Sequence, residues 1–259
     1  ALSITTTGTT TGETGEGDGI YAKNSGTSLT VNAADVVGYY NGIYADNDGE
    51  GALNITSTGK IITAIEDGIS ANNSASGTDL TIAAVDTYGG DSVGSGIDAK
   101  NYGSGALSIT TTGTTTGTAD DGIVANNSSA GTDLTINAAT TTGADEGIEA
   151  INIGTGALSI TTTGTTTGET DDGIFAVNSS AGTDLTINAA TTTGNENGIE
   201  ADNYGSGALS ITTTGTTTGT AYDGIAVVNS SAGTDLTINA ATTSGADDGI
   251  YAYNFGSGA

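Results

Sequence analysis

Apolar side chains recur along this chain with a period of two inside short segments and a period near 26 residues between them. The clearest segment is Gly-Ile-x-Ala-x-Asn, whose Gly is residue 19, 42, 68, 96, 122, 147, 173, 198, 224 and 249. Only the copy at Gly224 departs, with Val227 in place of Ala. Successive glycines are 23 to 28 residues apart, and from Gly96 onward the spacing alternates between 26 and 25. Ile, Ala and Asn stand two apart, so on an extended strand they share one face. The x positions share the other face and vary without rule: Tyr21 and Lys23, Asp98 and Lys100, Phe175 and Val177, Tyr251 and Tyr253. The fixed face is the one a core would bury.

Each period holds two further extended segments. One is Leu-x-Ile, as in Leu107-Ser108-Ile109 and Leu134-Thr135-Ile136, with Leu29 and Val31 as a variant. The other is a β-branched triplet before Gly, such as Thr114-Thr115-Thr116-Gly117 and Thr140-Thr141-Thr142-Gly143. Its middle residue is Val36, Ile61 or Thr87 in early copies and Thr115, Thr141 or Thr192 later, which points it inward and leaves the flanking pair outside. Gly, Asp, Asn and Ser fill the joints, which is turn chemistry. Three short strands per period leave no room for a helix. A repeat of this length means stacking of one supersecondary unit on the next. The expected fold is therefore all-β, a right-handed three-sided parallel β-helix of about ten coils of 25–26 residues without caps. At the usual strand spacing it would be a rod roughly 45–50 Å long.

Coils alternate between Gly-Ala-Leu-Ser-Ile-Thr-Thr-Thr-Gly (from Gly105, Gly156 and Gly207) and Gly-Thr-Asp-Leu-Thr-Ile-Asn-Ala-Ala (from Gly131, Gly182 and Gly233). The chain thus reads as one continuous solenoid over residues 1–259, in five tandem double-coil repeats of about 51 residues. It opens mid-phrase at Ala1-Leu2-Ser3-Ile4 and closes on Gly256-Ser257-Gly258-Ala259, the lead-in to a further coil, as a segment of a larger chain would. Open strand edges at both ends imply covalent continuation or end-to-end stacking into a filament.

Composition narrows function more than fold. Formal charge is −27, and Lys23, Lys60 and Lys100 are the only cations. Such a chain cannot displace phosphate counterions, so no nucleic acid is expected as partner. Anionic membrane surfaces are excluded in the same way, and no apolar run is long enough for direct membrane insertion. Without His and Cys the chain lacks the commonest acid–base group, thiolate metal sites and disulfides.

The motifs Leu-Ser-Ile-Thr-Thr-Thr-Gly, Gly-Ile-Tyr-Ala-x-Asn and Leu-Thr-Ile-Asn-Ala-Ala resemble the repeats of bacterial autotransporter passenger regions and related large secreted adhesins. The resemblance covers all ten coils and implies an extracellular, bacterial cell-surface location. Passengers of this kind carry adhesins, toxins and esterases alike, so the fold alone does not choose among them. A chain without Cys fits a passenger that crosses the outer membrane unfolded.

Four sets of residues carry candidate roles. Asn24, Asn47, Asn73, Asn101, Asn127, Asn152, Asn178, Asn203, Asn229 and Asn254 share parity with buried Ile and Ala, so their amides should stack as a structural ladder. Acids cluster before the third strand, among them Asp120, Asp121, Asp145, Asp171, Asp172, Asp223, Asp247 and Asp248. In stacked coils these carboxylates would repel by roughly 0.8 kcal/mol per neighbour, a cost that Ca²⁺ could relieve, although Asp-Gly is also ordinary turn chemistry. Apart from that cation, no cofactor is expected. Paired acids also suit a glycan-cleaving enzyme, but here they form a repeating column without Arg or His beside it. The outward pairs Thr114 and Thr116, Thr140 and Thr142, Thr165 and Thr167, Thr191 and Thr193, and Thr216 and Thr218 resemble the ice-binding face of some β-solenoid antifreeze proteins. Tyr21, Tyr44, Phe175, Tyr251 and Tyr253 on the variable face suit contact with a host or cell-surface protein or a glycan. The expectation taken forward is a non-catalytic extracellular rod with a structural or adhesive role.

Overall fold

The computed structural model describes residues 1–12, 15 and 17–258, so Ala259, at the end of the closing lead-in, lies outside the described residues. Among them there are 28 strands and no helix, and every strand pairing is parallel. The chain is a β-solenoid of about ten turns. Each strand pairs with its own equivalent one coil on. Leu107 sits opposite Leu134, Leu134 opposite Leu158, and Leu158 opposite Leu185. Ile97, Ile123, Ile148 and Ile174 do the same in the third strand.

Three columns of strands form only two sheets. The third strands make a ten-stranded sheet, and the first and second strands together make one of eighteen strands. The join is visible in the last coils, where Leu209–Gly219 and Leu236–Ser244 run through both columns with a register shift between Thr213 and Thr216. Two of the three expected sides are therefore one sheet bent at a corner.

Inward and outward positions alternate as a half-buried strand requires. Leu107–Thr111 and Ile148–Asn152 both bury their first, third and fifth residues. The core is a set of columns: Leu and Ile from the first strand, a β-branched residue from the second, Ile and Ala from the third. The second-strand column, Val36, Ile61, Thr87, Thr115, Thr141, Thr166, Thr192 and Thr217, has no solvent exposure. The hydroxyls of Thr87, Thr115, Thr141, Thr166, Thr192 and Thr217 find no hydrogen-bond partner among the described residues, so their methyl groups account for the packing. A Cβ on Gly173 would lie 2.5 Å from Cγ2 of Thr192 and 2.6 Å from the Gly198 carbonyl oxygen. The recurrent Gly of the third-strand phrase thus makes room for the β-branched methyl of the following coil.

The double-coil period has a side-chain cause. Asp79, Asp133 and Asp184 of one coil type accept the backbone N–H groups of Ala106, Ala157 and Ala208 in the next, at 2.9, 2.8 and 2.7 Å. A Cβ on Gly105, Gly156 or Gly207 would collide with those same carboxylates. Thr-Asp in one coil therefore selects Gly-Ala in its neighbour.

The third strand ends in a continuous amide ladder. Asn24 Nδ2 donates to Asn47 Oδ1 at 2.7 Å, and eight further links of 2.9–3.2 Å carry the series to Asn254. Each inner amide also closes the following turn: Asn152 Nδ2 donates to the Gly156 carbonyl, and its Oδ1 accepts Gly154 N–H, both at 3.2 Å. Replacing Asn152 by Ala should lower unfolding free energy by about 2–4 kcal/mol, because buried donors and acceptors on both neighbours lose a partner. Asn126→Thr, at the outward position just before the ladder residue Asn127, should stay within about 0.5 kcal/mol. Urea denaturation followed by circular dichroism measures both, and equal effects would remove the ladder from the account.

Candidate functional site

The acids before the third strand divide into two rows. The inner row, directly before each Gly, is Asp18, Asn41, Asp67, Ser95, Asp121, Glu146, Asp172, Asn197, Asp223 and Asp248. Seven of its side chains accept a backbone N–H of the next coil. The N–H groups of Asn41, Ser95, Glu146, Asn197 and Asp248 donate to Oδ1 of Asp18, Asp67, Asp121, Asp172 and Asp223 at 2.8–3.1 Å. Asn41 and Asn197 serve identically, accepting the N–H groups of Asp67 and Asp223 at 3.2 and 3.1 Å. Of the candidate cation ligands, Asp121, Asp172, Asp223 and Asp248 stand in this row, and Asp120, Asp145, Asp171 and Asp247 stand in an outer, more solvated one.

Burial makes Asp67, Asp121, Glu146 and Asp172 of this row expensive to ionise. Asp121 and Asp172 are each 3% exposed. Burial, with a contribution from the Asp98 charge, pushes Asp67 up to about 7 against the Ser95 N–H bond that lowers it. Burial likewise takes Asp172 to about 7, opposed by the Asn197 N–H bond. Asp121 is driven above the usual carboxylate range first by burial and then by the neighbouring Glu146 carboxyl. Three overlapping trios, each joining two outer-row acids to one inner-row acid, bring one oxygen per residue within 4.8 Å of one another: Asp120, Asp121 and Asp145; Asp145, Glu146 and Asp171; Asp171, Asp172 and Glu196. Such trios are hard oxygen donors of the kind Ca²⁺ takes, although they supply fewer than its usual six to eight ligands. Asp223, Asp247 and Asp248 form no such trio among the described residues.

The variable face is not one continuous aromatic strip. Tyr21 and Tyr44 stack with ring centroids 5.1 Å apart at one end, and Tyr251 and Tyr253 meet edge to face at 5.0 Å at the other. Phe175 stands between them, opposite Glu149 and Glu200 on the neighbouring coils. A second row escapes the periodic reading. Directly after the ladder Asn, alternate coils place Tyr102, Ile153, Tyr204 and Phe255, each 44–62% exposed, and the coils between them place Ser. Comparing every second copy, instead of every copy, would have revealed it. The outward threonines are aligned in register: Thr114 and Thr116 lie opposite Thr140 and Thr142, and Thr165 and Thr167 opposite Thr191 and Thr193.

Comparison with protein-family models, curated proteins and solved structures gives no match. The site is therefore read from its own geometry.

The raised inner acids give stability a defined pH dependence. Folded carboxyls that titrate near 7 hold protons that the unfolded chain releases at the ordinary carboxylate pKa, so this stabilisation is full below that value. It is lost as pH rises through about 7. Urea unfolding should show stability falling by on the order of 2 kcal/mol from about pH 5 to about pH 8. Asp172→Asn keeps the Oδ1 acceptor, as Asn197 does, and should be more stable than the parent at the upper pH with a shallower slope. A rising slope, or an unchanged one in the variant, would contradict this reading.

Proposed function

We propose that this chain is a non-catalytic structural and adhesive rod on the outside of a bacterial cell, displaying variable side chains on an invariant scaffold. The observation that carries the reading is the contrast between faces of one strand. Inward positions of the third strand repeat Ile, Ala and Asn for ten coils with Val227 as the one exception, while the outward positions between them include Tyr, Lys, Asp, Glu, Phe, Val and Ala. A scaffold built this way changes its contact surface without disturbing its core. Two features weigh against catalysis. Five of the clustered acids, Asp18, Asp67, Asp121, Asp172 and Asp223, hold backbone N–H groups, and the rest recur coil after coil instead of forming one distinct constellation.

The extracellular setting rests on the resemblance to autotransporter passengers and on a surface with few cations to attract nucleic acid. Exposed tyrosines on a rigid sheet supply large contact area at little entropic cost, which suits binding to proteins or glycans of another surface. Arrays of glycans and of extracellular proteins probed with the labelled rod test the adhesive part. Retention on a defined subset, reduced at least tenfold by combined Tyr102→Ser and Tyr204→Ser, is the expected result. Retention nowhere on either array would leave the adhesive role without support.

A further inference from the structure

On the outward face of the third strand, Ala226 lies between Glu200 of the preceding coil and Tyr251 of the following one. It is the smallest side chain at that column position, where other coils carry Tyr21, Tyr44, Val124, Glu149 or Phe175. The gap it leaves is a cleft of about 320 Å³, with Ala226 in its floor, Tyr222 and Tyr251 in its walls, and Glu200, Asp202 and Asp247 around it. Both tyrosines are more than two-fifths exposed, so the cleft is open to a macromolecule. Glu200 accepts Asn197 Nδ2 at 3.0 Å and Asp202 accepts the Tyr204 hydroxyl at 3.0 Å, which fixes both carboxylates.

The chain's own lysines show what this surface does with an alkylammonium group. Lys23 Nζ lies 2.7 Å from Asp46 and 3.3 Å from Asp48, beside the stacked Tyr21 and Tyr44. Lys100 Nζ lies 2.6 Å from Asp98, and on the other sheet Lys60 Nζ sits 4.3 Å over the Tyr88 ring. Each lysine is thus met by a carboxylate or an aromatic ring, Lys23 and Lys100 on the sheet that carries the cleft and Lys60 on the other. The cleft at Ala226 offers both kinds of acceptor together, yet no Lys or Arg follows Lys100 in the chain. The column position that Lys100 fills is filled here by Asp202. Burial first, and then the charge of Asp202, raises the pKa of Glu200, and burial raises Asp202, so a cation would relieve both.

We propose that the Ala226 cleft binds a lysine side chain of a partner protein, with the methylene stem on Ala226 between Tyr222 and Tyr251 and the ammonium against Glu200 and Asp202. An apolar floor with aromatic walls fits a methylene stem better than the hydroxyl-covered ring of an amino sugar, and an ammonium facing tyrosine rings gains cation–π attraction. This deepens the adhesive reading by naming a partner chemistry at one place, and it can fail while the arrays still show retention elsewhere.

The test is titration of the ¹⁵N-labelled chain with Nα-acetyl-lysine methylamide, read by amide chemical shifts. Saturable shifts centred on Glu200, Ala226 and Tyr251 are expected, with none from the Nε-acetylated compound. Ala226→Phe, a side chain that Phe175 shows this column accepts, should weaken binding at least tenfold while the rest of the spectrum stays in place. Glu200→Gln should do the same without filling the cleft. Shifts that are absent, that spread equally over the Asp120 to Glu146 corner, or that survive undiminished in both variants would overturn the proposal.

Discussion

Parallel coils stacked in register place every side chain about 4.8 Å from its own counterpart, so each column must consist of residues that tolerate themselves as neighbours. Most of the structure follows from that condition. Leu on Leu and Ile on Ile satisfy it by dispersion and burial. Asn on Asn satisfies it because an amide is both donor and acceptor, and nine consecutive side-chain bonds result. A carboxylate does not satisfy it. The inner acidic row accordingly alternates Asp with Asn or Ser through Asp18, Asn41, Asp67 and Ser95, and again through Asp172, Asn197 and Asp223. Where acids do follow one another in the middle of the rod, at Asp121, Glu146 and Asp172, burial raises the pKa of each and so disfavours charge on all three at once.

Two levels of repetition come out of the same stacking. The single coil is set by the fit of the phrase Gly against the β-branched methyl of the next coil, as Gly173 and Thr192 show. The double coil is set by an asymmetric bond, in which Asp133 of one type holds the Ala157 N–H of the other. Neither interaction involves the outward face of the third strand. That independence leaves the positions of Tyr21, Asp98, Phe175, Glu200 and Ala226 free to vary, and surface chemistry can differ from coil to coil while the interior stays constant.

Period-two parity made the columns, the parallel pairing and the interior of the third strand readable from the residues alone, because a one-residue slip would expose every Ile and Leu. Three features were less legible. Merging of two columns into one sheet depends on the corner conformation between Thr213 and Thr216, and Thr and Gly composition does not encode that angle. Adjacent pairs such as Asp120-Asp121 and Asp171-Asp172 read as one acidic cluster, although adjacent residues on an extended chain point apart and only one of each pair faces the backbone of the next coil. The row of Tyr102, Ile153, Tyr204 and Phe255 lies just beyond the repeated phrase and in alternate coils, so a period of one coil averages it away.

Interior columns of this design fix distance and orientation, and outward side chains are left free to differ from coil to coil. The stacking itself is open to one direct measurement. The chain has no native Cys, so nitroxide pairs can be placed at will on the outward second-strand column that contains Val37, Thr142, Thr193 and Ser244. Pulsed electron–electron resonance from Val37 to each of the other three should give distances of about 19, 29 and 38 Å, a constant step of about 9.6 Å for every two coils. Distances that fail to grow linearly with coil number would show that successive turns do not lie on one another.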